Sequence, residues 1–117
     1  MNSFPDFIKD EANRIPEDQQ NTAAVEGFVY QGRGAGQVAF WTCHEARESN
    51  WHCHDFPEYL CVVAGEYVLV LEEGERTLGP GDEVEIRAGA RQSARIAAGT
   101  RTIHAFGGRR IAIDPDE

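Results

Sequence analysis

Two histidines and a glutamate lie within a seven-residue stretch that runs from His52 to Glu58. On a β-strand, His52 and His54 project to the same side because successive side chains alternate, and Cys53 projects to the other side. A turn at residues 55–57 lets Glu58 begin the next strand facing the same interior. Two imidazoles and a carboxylate form the facial site of non-haem iron, and Mn, Ni, Co or Zn can also occupy such ligands. The spacing predicts a divalent metal site with open positions, although a histidine pair exposed on an edge strand would bind nothing.

Cys53 is not expected to compete for this site, because strand parity places it on the face opposite His52 and His54. The sequence has three cysteines, Cys43, Cys53 and Cys61, without a Cys-x-x-Cys pair, so we expect reduced thiols and no zinc ribbon. Cys61 shares a predicted strand with Glu58 but has the opposite parity. It is expected to pack between sheets or at a subunit contact.

An all-β fold is needed to position these side chains. From Ala24 onward, short runs of Val, Ile, Phe and Tyr are separated by glycines, which is typical of an antiparallel sandwich or barrel. Before them, residues 4–14 are predicted to form a short amphipathic helix that Ser3 caps and Pro16 ends. A polar linker follows. The predicted organisation is an N-terminal helix and linker over residues 1–23, a barrel over 24–113 and a tail over 114–117.

Alternation within the predicted strands assigns their faces. Glu58, Leu60 and Val62 share one face, opposite Tyr59, Cys61 and Val63. In the stretch around Gln92, arginines occupy positions 91 and 95. Because arginine is seldom buried, Gln92 is expected to face inward with Ala94 and Ile96.

The stretch from Ala46 to Gly65 resembles the first motif of the cupin superfamily, Gly-x5-His-x-His-x3-Glu-x6-Gly. His52, His54, Glu58 and Gly65 match it, and only the opening glycine is replaced, by Ala46. The intermotif segment that follows is short, as in small microbial cupins. The resemblance implies a double-stranded β-helix, or jelly roll, that holds a metal ion at its centre, and it implies a homodimer.

The second cupin motif, Gly-x5-Pro-x-Gly-x2-His-x3-Asn, is matched less completely. Gly81 and Gly89 agree, whereas Arg87, Gln92 and Ile96 replace the proline, histidine and asparagine. Gln92 therefore stands where the family has its fourth metal ligand. A glutamine carbonyl is a weaker donor than imidazole to Fe, Ni or Zn. Gln92 either completes the site with His52, His54 and Glu58 or hydrogen-bonds a bound water or ligand.

The remaining chemistry is open at the level of the sequence. His104 could replace the fourth ligand or shuttle protons, but its strand parity is undecided because Ile103 and Phe106 fall on opposite sides. His44 is expected at a loop edge. The aromatic residues at predicted strand positions are expected mainly to pack in the core or at an interface rather than to stack on a substrate: Trp41, Trp51, Tyr59 and Tyr67. No general base is recognisable, and the candidates are Asp55, Tyr67 and His104.

Three functions remain possible for such a barrel. It could be a metal-dependent oxygenase, isomerase or lyase acting on a small molecule, a module that binds or senses a small molecule without turnover, or a structural barrel that the metal stabilises. The resemblance does not choose between them. Its cofactor would be one divalent ion, Fe, Mn, Ni or Zn.

Composition narrows the partners. The chain of 117 residues carries 11 basic and 20 acidic residues, a formal net charge of −9. Such a charge repels nucleic-acid phosphates and anionic lipid, so neither nucleic acid nor membrane is expected as a partner. Acidic and basic residues interrupt the N-terminal stretch, which lacks the apolar core of a secretory signal. A cytoplasmic location is the expectation.

Overall fold

The computed structural model describes residues 3–16, 18, 28–30 and 36–110. A short 3-10 helix, η1, spans Glu11–Asn13, and eight strands follow it. In chain order the strands are β1 (Gln37–Cys43), β2 (Arg47–Glu48), β3 (Glu58–Ala64), β4 (Tyr67–Leu71), β5 (Gly74–Leu78), β6 (Glu83–Ile86), β7 (Gln92–Ile96) and β8 (Thr100–Phe106).

The strands form two antiparallel sheets of four. One sheet has the order β1-β8-β3-β6, and the other has the order β2-β7-β4-β5. Neighbours such as β1 and β8 are distant in sequence, so the chain crosses repeatedly between the sheets. This is the arrangement of a jelly-roll barrel, and the expected all-β fold is confirmed.

The predicted inward positions are buried on β3 and β7, although Tyr59, on the opposite face of β3, is buried too. His52 and His54, predicted on a strand, lie in a segment whose only sheet contact among the described residues is an isolated bridge at His52. On β3, Glu58, Leu60 and Val62 are buried, and Val63 is 40% exposed. On β7, Gln92 is only 3% exposed, and Arg95 faces solvent. Glu58 and Gln92 are therefore interior residues, which requires each to find a polar partner.

The interior has an apolar half and a polar half. The apolar half lies around β3, β4, β5 and β6, where large aliphatic side chains form the core: Leu60, Val62, Leu69, Leu78, Val84 and Ile86. The polar half lies around β1, β2, β7 and β8. There, Thr100, Thr102 and His104 take the inward positions of β8. The fold thus packs one side of the barrel and leaves the other lined by groups that can do chemistry.

One glycine of the first motif has a clear steric reason. Gly65 follows β3 with φ +86°, a left-handed conformation that favours glycine. A Cβ at this position would lie 2.3 Å from the side-chain oxygen of Thr100 and 2.5 Å from its Cα. The turn can therefore approach the start of β8 only without a side chain.

The helix predicted over residues 4–14 is wrong. The segment instead makes one turn, in which two backbone N–H groups donate to the carbonyl of Pro5, and then η1. Asp10 lies between the two in an extended conformation (ψ 139°), and its carboxylate accepts a hydrogen bond from the backbone N–H of Ala12. Aspartate competes for nearby backbone groups in this way, which favours caps over helix interiors.

Other boundary predictions cannot be compared with the structure. Most of the linker over residues 16–22, the first barrel residues from 24 to 27, and the tail over 114–117 lie outside the described residues. Within the described part, no helix is long and apolar enough to cross a membrane.

Candidate functional site

A cavity of about 110 Å³ opens in the polar half of the barrel. His52, His54, Glu58 and Gln92 all line it, and so does His104. The four residues that the sequence singled out as ligands therefore share one pocket, together with a third imidazole. Whether they hold a metal ion remains a prediction.

Glu58 lies at the centre of the buried polar groups. It is the first residue of β3 and is only 4% exposed. One carboxylate oxygen, Oε2, accepts a hydrogen bond of 2.6 Å from His104 Nδ1, and the other, Oε1, accepts one of 3.0 Å from Gln92 Nε2. Each carboxylate oxygen thus accepts a hydrogen bond. This matters because an unpaired charge in the protein interior costs free energy of folding.

These contacts keep Glu58 ionised. Burial by itself raises the pKa of Glu58. The hydrogen bond from His104, the charge of His104, the hydrogen bond from Gln92 and the charge of His54 together hold that pKa below its ordinary value, the two charges acting in the acid range where the carboxyl titrates. Because an ionised carboxylate can only accept, Nδ1 of His104 carries a proton. The pocket therefore contains an ionised carboxylate whose orientation is fixed by two hydrogen-bond donors.

Contacts with backbone groups hold both the main chain and the ring of His52 in place. It forms an isolated antiparallel bridge with Gln92, with N–H···O distances of 2.9 and 2.8 Å. Its ring Nδ1 lies 2.9 Å from the carbonyl oxygen of Asn50. Since a carbonyl only accepts, Nδ1 bears the proton and Nε2 is left with a free lone pair.

His54 is closer to the carboxylate. Its Nε2 lies 3.8 Å from Oε1 of Glu58, and its ring stacks on Phe56 with centroids 4.9 Å apart. Burial lowers the pKa of His54, and the nearby carboxylate opposes this without reversing it. The ring is therefore neutral at pH 7 and able to donate a lone pair. The rings of His52 and His54 lie 5.1 Å apart.

His104 is the residue that sequence reasoning left undecided. It lies on β8, is 7% exposed and points into the pocket, where its Nε2 is 3.0 Å from the hydroxyl oxygen of Thr102. A signal was available in Arg101, because an arginine at that position predicts that the even-numbered residues of the strand face inward.

Several other expectations are resolved by the pocket lining. Tyr67 and Trp41, expected mainly to pack, line the cavity. Asp55 and His44 are exposed and do not line it, so Tyr67 and His104 are the base candidates that the structure brings to the pocket. All three cysteines are free; Cys43 lines the cavity, a position that the sequence did not suggest.

The side chains do not form a ready-made metal site. Among residues 3–16, 18, 28–30 and 36–110, no group of three or more His, Cys, Asp or Glu side chains is arranged to hold an ion. Two ligands of one tetrahedral ion lie about 3.4 Å apart, given bonds of roughly 2.1 Å. The 3.8 Å between His54 Nε2 and Glu58 Oε1 is longer than this, so the side chains would have to rotate to share an ion.

Comparison with known proteins gives a consistent fold and no closer assignment. No family model and no curated protein matches the chain. Among solved structures, an RmlC-like cupin from Shewanella frigidimarina is 20% identical, with a TM-score of 0.60 over 65% of this chain and 68% of its own. A cupin superfamily protein from Desulfitobacterium hafniense is 11% identical, with a TM-score of 0.59 over 62% and 67% of the two chains. KdgF from Halomonas sp. is 20% identical, with a TM-score of 0.52 over 65% and 81%. At such identities the likeness establishes the fold alone.

Proposed function

Because this chain has the cupin fold, we propose that its pocket binds one divalent metal ion through His52, His54 and Glu58 and acts as an enzyme on a small molecule. The observation that carries the proposal is the buried carboxylate of Glu58, ionised and hydrogen-bonded, 3.8 Å from the Nε2 of His54.

The protonation states of the three side chains suit a metal ion. Metal ligands must be deprotonated, and Glu58 is ionised while His54 is held neutral. The contact of His52 with the Asn50 carbonyl leaves Nε2 free, and a backbone carbonyl is a common partner for the second nitrogen of a ligating histidine. The donors are common to Fe, Mn, Ni and Zn, so the proposal names no single metal.

In the proposed site, Gln92 and His104 orient the ligating carboxylate. Both donate hydrogen bonds to Glu58, and ligating carboxylates are typically held by such partners. Either could instead supply the fourth ligand. Gln92 would use its carbonyl oxygen, which leaves its Nε2 contact with Glu58 intact, and His104 would use Nε2, which loses the contact with Thr102.

The pocket also offers groups for proton transfer. A bound divalent ion would polarise a carbonyl or hydroxyl oxygen of the substrate. The His104 ring, oriented by the Glu58 carboxylate, has the arrangement of a base and the group that orients it. Its Nε2 faces the interior beside Thr102. This favours isomerisation or elimination over the other reactions open to the fold.

A second candidate is a module that binds a small molecule without turnover. The presence of Gln92 where the cupin motif has histidine supports it, since a weaker ligand set suits capture as well as catalysis. Elemental analysis of anaerobically purified protein, followed by a screen for turnover of small carbonyl and hydroxyl compounds, separates the two. Turnover lost in His54→Ala and kept in His44→Ala supports the enzyme, and binding without product supports the module.

Two expectations from the sequence stay predictions. A homodimer is implied only by the family resemblance, and the cytoplasmic location only by the N-terminal residues. Light scattering of the purified chain measures the former directly.

A further inference from the structure

Two arginines lie at the mouth of the pocket. Arg47 and Arg110 both line the cavity and are exposed, whereas Glu58, Gln92 and His104 line its buried part. Neither guanidinium forms a salt bridge with another described residue. An acidic protein thus has two cations at one opening, without an acidic partner among the described residues.

The strand register explains how Arg47 reaches this place. It pairs with Ile96 across β2 and β7, and directly paired residues of antiparallel strands point to the same face. Since Ile96 lies on the inward face with Gln92, Arg47 is also directed inward from its edge strand. An arginine on the inner face of a barrel edge can reach a ligand in the cavity.

Arg110 is held by aromatic rings. Its guanidinium lies 5.1 Å from the ring centroid of Trp41 and 5.8 Å from that of Phe106. Cation–π contacts of this kind hold the guanidinium beside the rings. The N–H groups at its edge are then available to an oxyanion in bidentate geometry.

The charge of the lining contrasts with that of the whole chain. The protein has 20 acidic and 11 basic residues, yet among the described residues that line the pocket the charged groups are two arginines and one carboxylate. That carboxylate, Glu58, is buried and already bonded to His104 and Gln92. Positive charge therefore predominates among the described residues at the mouth, and a positive patch attracts anions.

We propose that the ligand of this pocket is a small organic anion, whose carboxylate or phosphate group is bound by Arg47 and Arg110 at the mouth while the rest of the molecule enters the cavity. The cavity of about 110 Å³ is small beside the roughly 300–1,000 Å³ of sites for drug-sized ligands. The inference deepens the proposed function and rests on it for the identity of the site, but anion binding at the mouth does not require the metal.

The test is a set of calorimetric titrations of the full chain, with and without Mn²⁺, using malonate, its neutral analogue malonamide, and inorganic phosphate. Arg47→Gln and Arg110→Gln remove one guanidinium each. Arg101→Gln is the matched control, because this exposed residue lies on β8 with the parity opposite to the pocket. Melting curves of the variants verify that each one is folded.

We expect malonate or phosphate to bind and malonamide to fail, and whichever anion binds more tightly identifies the acid group. Each pocket variant should weaken binding about tenfold, as for the loss of a charge-assisted hydrogen bond, and Arg101→Gln should leave it unchanged. Equal binding of malonamide, no effect of either pocket variant, or no binding of any anion overturns the inference. Normal Mn²⁺ binding without anion binding removes this inference alone, and arginine-dependent anion binding without Mn²⁺ binding removes the metal proposal alone.

Discussion

His104 and Glu58 lie 46 residues apart in the sequence and are joined inside the barrel by a hydrogen bond of 2.6 Å. The bond connects β8 to β3, which are neighbours in one sheet. It keeps the carboxylate charged in a buried place and fixes the tautomer of the imidazole.

Replacing His104 should destabilise the metal-free protein. His104→Ala leaves Glu58 with one donor instead of two, and an incompletely paired buried carboxylate costs roughly 1–3 kcal/mol. His104→Gln, which keeps an N–H donor, should recover part of the loss. Urea unfolding measures the difference. His44→Ala is the exposed control and should lie within about 0.5 kcal/mol of the wild type; an equally small effect for His104→Ala would show that the pair contributes little.

The stability of the metal-free protein should fall in acid. Because the folded-state pKa of Glu58 is below its ordinary value of 4.5, the unfolded chain takes up a proton first as the pH drops. The stabilisation is present above pH 4.5 and is lost as the pH falls through the lower, folded-state pKa. Unfolding curves between neutral pH and pH 3 should show this loss in the wild type, and a smaller loss in Glu58→Gln. Parallel pH profiles for the two proteins contradict the assignment.

Gly65 should be sensitive to substitution for two separable reasons. Gly81 has nearly the same φ, +88°, but a Cβ there meets nothing within 4 Å, whereas a Cβ at Gly65 meets Thr100. Gly81→Ala should therefore cost about 1–2 kcal/mol, the penalty of the left-handed backbone, and Gly65→Ala roughly 1–3 kcal/mol more because of the clash. Thermal unfolding of the two variants compares them. Equal losses mean that the turn shifts away from Thr100 without cost.

Much of this fold could be predicted from the sequence, because successive side chains of a strand point to opposite faces. Leu60 and Val62 fix the face of Glu58, and the arginines around Gln92 fix its inward orientation. The jelly-roll topology was implied by the resemblance of the two motifs to those of cupins. The N-terminal helix failed because apolar spacing carries no information on the competition from Asp10 for the backbone.

The parts of the site that were missed depend on tertiary neighbours. His104 lies on β8, a central strand with β1 and β3 on either side, so both of its faces carry apolar residues and parity is ambiguous. Arg47 lies on a strand of two residues, too short to show alternation. Arg110 follows the last strand and is positioned by Trp41 and Phe106, which no local pattern predicts.

Gln92→His tests how close this position is to the ion. If Gln92 faces the metal, an imidazole there should tighten binding by about 10–100-fold, since nitrogen is the stronger donor to Ni or Zn. Competition with a chromogenic chelator measures the affinity. Ser93→His, on the other side of β7, is the control and should leave the affinity unchanged. An unaltered affinity in Gln92→His places residue 92 outside the coordination sphere.

The central claim is that His52, His54 and Glu58 share one divalent ion. Anomalous diffraction at the absorption edge of the metal in crystals of the loaded protein tests it most directly. The account predicts a single peak in the pocket, about 2.0–2.2 Å from the Nε2 atoms of both histidines and from a carboxylate oxygen of Glu58. A peak elsewhere in the molecule, or none in crystals grown with excess metal, contradicts it.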